Sequence, residues 1–151
     1  MIQFIKNDGG RAAAGFKGNA GDCVTRAICI ATELPYTIVY DRLALGNAAQ
    51  RVTKGSAHHN ATRGKTTAAH GIWTKRKWFK DYMVELGFVW HPTMSIGSGC
   101  KVHLRESELP KGRLVTMLSR HAAAVIDGVL QDTYDCSREG TRCVYGYWKL
   151  T

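Results

Sequence analysis

The first evidence is what the sequence lacks. The opening M-I-Q-F-I-K-N-D-G-G has no long apolar run of the kind a signal peptide needs, and no stretch of the 151 residues is able to span a bilayer. No membrane partner is expected, and an intracellular setting is the default. The five cysteines, Cys23, Cys29, Cys100, Cys136 and Cys143, are an odd number at irregular spacing. That is neither a disulfide framework nor a recognised zinc pattern, so free thiols in a reducing compartment are expected. Acids are scarce as well, with 12 Asp and Glu against 21 Lys and Arg and a formal charge of +9. Such a charge draws phosphates, but outside Arg63 to Lys80 the cations are scattered, and no helix-turn-helix, zinc-finger or RNA-binding signature accompanies them. Nucleic acid is therefore only an accessory partner in this reading.

A chain of this length can bury a core without disulfide or metal support, so residues 1–151 are expected to form a single domain. The most informative stretch is Ser119 to Asp135, S-R-H-A-A-A-V-I-D-G-V-L-Q-D-T-Y-D. Asp127-Gly128 is a two-residue turn that accepts positive φ, and both flanks are rich in strand formers. If Ile126 pairs with Val129, then Ala123 lies opposite Asp132 and His121 opposite Tyr134. His121 and Asp132 become diagonal neighbours on one face, while Asp135 falls on the other by parity. A histidine oriented by a carboxylate is two-thirds of a nucleophilic triad.

The third member is found at Cys23. The sequence D-C-V-T-R-A-I-C-I-A-T-E has Val24, Ala27, Ile28 and Ala31 at helical spacing, with Asp22 suited to N-cap. Cys23 then occupies the first turn, where free backbone N–H groups and the helix dipole favour thiolate. Cys29, in mid-helix, reads as core. Taken singly, Cys23 is a small buried residue, His121 a satisfied sheet histidine and Asp132 a strand acid with a local turn bond; taken together, the triad is favoured.

The rest reads as scaffold. Ile2 to Ile5 suits a short edge strand, followed by a glycine-rich loop to Gly21. Leu34-Pro35 ends the first helix, and Tyr36 to Ala49 forms a second with Ile38, Val39, Leu43 and Leu45 buried. A long polar loop, flexible and substrate-contacting, is expected at about 50–71. Its His58, His59 and His70 are not at metal-ligand spacing, so neither metal nor cofactor is expected. Thr74 caps a third helix to Leu86 with an apolar stripe of Trp78, Phe79, Tyr82, Met83 and Leu86, and Gly87 ends it. Strands follow at Phe88–Trp90, Val102–Leu104, Arg113–Leu118 and Val144–Leu150, with a turn or one-turn helix at Arg105–Leu109. Cys100, with no helix behind it, is a weak alternative nucleophile. Helices first and strands second indicate an α+β domain, its N-terminal central helix packed on a C-terminal antiparallel sheet.

A Cys opening a central helix, a later His opening a strand and a polar residue on the next strand resemble the papain-like cysteine peptidase superfamily. More closely, G-D-C-V-T-R-A-I, S-I-G-S-G-C, H-A-A-A-V-I-D-G-V-L-Q-D-T-Y-D-C-S and the C-V-Y-G-Y-W ending are similar to a family of small uncharacterised phage and prophage proteins. The resemblance implies phage origin, action in the host cytoplasm and a papain-like fold. It makes Cys23 the nucleophile, His121 the base and Asp132 the residue that fixes the imidazole. Papain-like enzymes usually place an oxyanion-hole Gln before the Cys; here Lys17, Gly18 and Asn19 stand there, and Asn19 can donate through its amide. Lys17 and Asp22 are grouped with it as oxyanion or substrate-binding residues. The implied function is a cysteine-dependent hydrolase of the peptidase, isopeptidase or amidase kind, with acyl transfer as a variant and a protein or peptide substrate, a host protein among the candidates. The alternative is a non-catalytic binding protein on the same fold, its basic surface blocking a host partner or contacting nucleic acid.

Overall fold

The structure is a computed structural model that describes residues 2–16, 22–49, 72, 74–95 and 97–151. Lys17, Asn19 and the loop at 50–71, with its three histidines, lie outside the described residues. Among those that are described, three helices and six strands appear: β1 (Gln3–Lys6), α1 (Cys23–Thr32), α2 (Tyr36–Ala49), α3 (Lys77–Glu85), β2 (Phe88–Pro92), β3 (Arg113–Leu118), β4 (His121–Ile126), β5 (Val129–Asp132) and β6 (Gly146–Leu150). This is an α+β architecture.

The strands form one sheet in the order β1-β5-β4-β3-β6-β2. The expected antiparallel sheet needs one correction: β1 joins β5 in parallel, with Gln3 opposite Val129 and Lys6 opposite Asp132, so the sheet is mixed and draws an edge from the N-terminus. The connection between these two strands contains all the helices, the long crossover that a parallel pair requires. At the β4–β5 hairpin, Ile126 pairs with Val129 and Ala124 with Gln131. Asp127 and Gly128 both have positive φ, +48° and +83°, the backbone a tight turn between twisted strands demands.

Alternation along β3 and β4 divides the core. Val115, Ala122 and Ala124 face the helices, whereas Leu114, Ala123 and Val125 pack on the opposite face with Leu130, Cys136 and Val144. The small Ala122 and Ala124 side chains let α1 lie close on β4, and α1 is buried on nearly every side between the sheet and α2. Arg113 on β3 fixes the other end of α1, donating from Nη2 to the Ile30 carbonyl at 2.9 Å, a C-terminal oxygen with no partner inside the helix.

Three expectations about helix faces shift. In α2 the buried residues are Tyr36, Val39, Leu43, Gly46 and Asn47, while Ile38 and Leu45 are exposed. The α3 N-cap is Arg76 rather than Thr74, although Phe79, Tyr82 and Met83 are buried as its stripe implies. Asp22 stands at the N-cap of α1 but makes no side-chain capping bond, its carboxylate being engaged elsewhere. Gly87, at φ +99°, does end α3.

The free-thiol expectation also needs correcting. Cys100 and Cys143 form a disulfide, their Cα atoms 5.9 Å apart. His103 bridges Cys143, and Val144 N–H donates to Val102 O at 2.8 Å, so two segments distant in sequence run side by side and bring the thiols together. Cys100 is thereby removed as a nucleophile, and Cys136 does not pair with Cys143. Closing a loop of 43 residues restricts the unfolded chain by about 4 kcal/mol on the chain-entropy account. Such bonds persist in oxidising surroundings, which is at odds with the reducing compartment expected from sequence. Cys23, Cys29 and Cys136 remain free.

Candidate active site

Three secondary-structure ends converge at one end of the central strands: the first residue of α1 (Cys23), the first of β4 (His121) and the last of β5 (Asp132). His121 Nε2 lies 2.6 Å from Asp132 Oδ2. An ionised carboxylate only accepts, so this nitrogen carries the proton and donates. The pair is well enclosed, the side chains 8% and 3% exposed. The Cys136 sulfur lies within 4.8 Å of this pair, and Cys23 shares a cleft with the ring. With Nε2 committed to Asp132, Nδ1 is the nitrogen left for sulfur. Tyr134 stands over the other side of the ring, centroids 5.5 Å apart.

Asp132 is held at several points. The Thr133 N–H donates to Oδ1 at 2.7 Å, and Arg26 Nη2 stands 3.5 Å from the same oxygen. Arg26 is itself buried and bonded to Asp22, whose carboxylate also accepts from the Tyr36 hydroxyl and lies 3.2 Å from Arg11 Nε. A chain of charged groups thus runs from the helix start through Arg26 to Asp132. Burial opposes the Asp132 charge, but the His121 and Thr133 hydrogen bonds and the His121 and Arg26 cations hold its carboxyl below the ordinary value. For His121, burial pushes the pKa down; the Asp132 hydrogen bond, then the Cys136 and Cys23 thiols, outweigh it and raise the pKa above the ordinary value. Cys29 offers a contrast on the same helix, since burial and then the Asp22 charge push its thiol up to about 12.

Cys23 is half-buried and opens with His121 into a cleft of about 460 Å³, lined also by Arg120, Thr133 and Tyr134. As the first residue of α1, it lies among N–H groups with no partner inside the helix, donors available to a developing oxyanion. Neither a family model, nor a curated protein, nor a solved structure matches this chain.

Of the residues singled out from sequence, Cys23, His121 and Asp132 are brought together. Asp22 is not a substrate-facing group: it is 1% exposed, and its carboxylate is occupied by Arg26, Tyr36 and Arg11. Lys17 and Asn19 lie outside the described residues. Three residues here were missed. Arg26 had a signal, a cation four residues after Asp22 on a helix otherwise apolar enough to be central. Tyr134 had one in the hairpin register itself. Cys136 had none, because its approach depends on the turn after β5. His121, Asp132 and Cys136 place three ligand-type atoms within 4.8 Å of one another, the chemistry of a soft-metal site. His121 and Asp132 already share a proton there, so an ion would have to displace it.

Proposed function

We propose that this chain is a cysteine-dependent hydrolase on a papain-like fold, of phage origin, that cleaves an amide or isopeptide bond through an acyl-enzyme. The observation that carries this reading is His121, held by Asp132 at 2.6 Å and sharing a cleft with Cys23.

The chemistry follows from that arrangement. The proton that Cys23 gives up is carried at His121 Nδ1, and Asp132 steadies that imidazolium through Nε2. The thiolate adds to the carbonyl carbon, and N–H groups at the start of α1 receive the negative oxygen. Collapse of the tetrahedral adduct expels the amine, which takes the proton from His121 and leaves a thioester on Cys23. A water molecule, deprotonated by His121, then attacks the thioester, and the thiol is regenerated as the acid departs. An amine in place of water would make the same site an acyltransferase.

The test is acylation. Incubated with p-nitrophenyl acetate, the chain is expected to show a burst of p-nitrophenol with the acetyl group on Cys23, found by peptide mass spectrometry. The burst disappears in Cys23→Ala. Acetylation confined to Cys136, or spread equally over the free thiols, would remove the hydrolase reading and leave the non-catalytic binding protein in its place.

A further inference from the structure

The cleft at Cys23 does not end there. Thr74, Met117 and Leu118 line it and equally line a second hollow of about 560 Å³, whose remaining wall includes Lys75, Lys80, Trp90, Tyr145 and Trp148. The two therefore adjoin at the end of β3. The second hollow is aromatic, and its form is set by the strands beneath it. Trp90 on β2 pairs with Trp148 on β6, ring centroids 5.1 Å apart, and Pro92 pairs with Gly146. Trp90 lies diagonally over Gly146, where an added Cβ would come within 2.2 Å of its ring. Glycine at this position is thus a requirement of the groove, since any side chain would lift Trp90 out of it. Trp90 and Tyr145 remain 40% and 43% exposed, while Trp148 is 5% exposed beneath them.

Charge accompanies this apolar surface. Lys75 and Lys80 are exposed at the aromatic end and Arg120 at the thiol end, and none forms an ion pair with an acid among the described residues. Among the described residues, apart from the buried Asp132 behind His121, the charged side chains lining the two hollows are all basic. A chain of net charge +9 adds a long-range attraction of the same sign.

We infer that this groove is the substrate subsite of the proposed hydrolase and that it takes an acidic peptide segment carrying an aromatic or large aliphatic side chain, the apolar group on Trp90 and the carboxylates on Lys75, Lys80 and Arg120. The inference rests on the reading of Cys23 as nucleophile, because the wall shared with that cleft is what makes the groove a subsite. A single-stranded nucleic acid would meet the same charges. It is disfavoured because a stacking platform needs open ring faces along a cationic track, and Trp90 has one side closed by Gly146.

The experiment uses Cys23→Ala chain and three fluorescein-labelled probes read by anisotropy: the hexapeptide Gly-Glu-Phe-Glu-Gly-Gly, its counterpart with lysine for glutamate, and hexathymidylate. The acidic peptide is expected to bind about tenfold more tightly than the lysine peptide, in keeping with two or three exposed charge contacts. Lys75→Glu/Lys80→Glu should reverse the preference, and Trp90→Ala should weaken both peptides. Equal binding of the two peptides, indifference to these substitutions, or hexathymidylate displacing the acidic peptide at equal concentration would overturn the inference. Iodoacetamide alkylation of Cys23 in the otherwise wild-type chain separates the two readings. A peptide preference beside an unactivated thiol would retain the acidic-peptide groove and remove the hydrolase, whereas an activated thiol without preference would do the reverse.

Discussion

Among the described residues two histidines lie beside a carboxylate, and comparing them shows what turns such a pair into a candidate catalytic device. His103 Nδ1 lies 3.1 Å from Glu108 Oε1, at the edge of a turn, with the side chains 32% and 26% exposed. His121 and Asp132 are closer, at 2.6 Å, and 8% and 3% exposed. The His103 hydrogen bond, with smaller help from Arg105, draws the Glu108 carboxyl down, but water screens whatever the pair contributes. The sulfur nearest in pairing, Cys143 opposite His103, is consumed in a disulfide. His121 instead has a free thiol on a helix N-terminus and a guanidinium behind its acid. Two pairs alike in composition differ in burial, in backing and in what lies within reach of the second ring nitrogen.

The largest expected effect breaks this comparison at its histidines. His121→Ala should slow acyl-enzyme formation about a thousandfold or more, the usual loss on removing a triad base, whereas His103→Ala should leave the rate within about twofold. The p-nitrophenol burst rate of the two variants measures it. Equal effects would make the distinction meaningless.

Next come the acids. Removing Asp132 strands a buried imidazolium and takes one partner from Arg26, so Asp132→Ala is expected to destabilise the chain by about 3 kcal/mol, read as the urea midpoint at unchanged slope. Glu108→Ala should leave the midpoint where it was. An Asp132→Ala chain as stable as wild type would mean that water already reaches the site.

A smaller effect is the pH dependence of stability. Asp132 titrates lower in the folded chain, so its contribution is present above the ordinary carboxylate value of about 3.9 and is lost as pH falls through the folded value. His121 titrates higher when folded, so its contribution is complete below about 6.5 and is lost as pH rises toward the folded value. Melting temperature against pH should therefore carry an acid-side fall and an alkaline-side decline that both diminish in Asp132→Asn. Glu108→Gln should change this profile far less, since its carboxyl is in contact with solvent.

How much of this was legible in the sequence depends on how local the determining contacts are. The β4–β5 hairpin could be counted from Asp127-Gly128, because turn chemistry and strand parity fix the register without reference to the rest of the chain. The bounds of α2 likewise follow from Pro35 and the residues that come after it. Its buried face did not, because Ile38 and Leu45 are as apolar as Val39 and Leu43, and only the position of α1 and α3 decides which row is covered. The parallel edge of β1 and the Cys100–Cys143 bond join segments more than forty residues apart, and no spacing rule reaches them. At the site, Cys23, His121 and Asp132 each sit at an element boundary, which is what made them readable. Arg26 has the spacing of an ordinary surface pair with Asp22, and its buried, bridging position appears only once α1 is placed on the sheet. The groove is harder still to see, since Gly146 reads as a strand glycine until Trp90 is found lying over it.

The most direct test of the central claim, that His121 and Asp132 activate Cys23, is the rate of iodoacetamide alkylation of Cys23 as a function of pH, followed by mass spectrometry in wild type and in His121→Ala. The account predicts a reactive plateau extending well below the free-thiol value of about 8.5 in the wild type, lost in the variant. The same ordinary thiol titration in both proteins would contradict it.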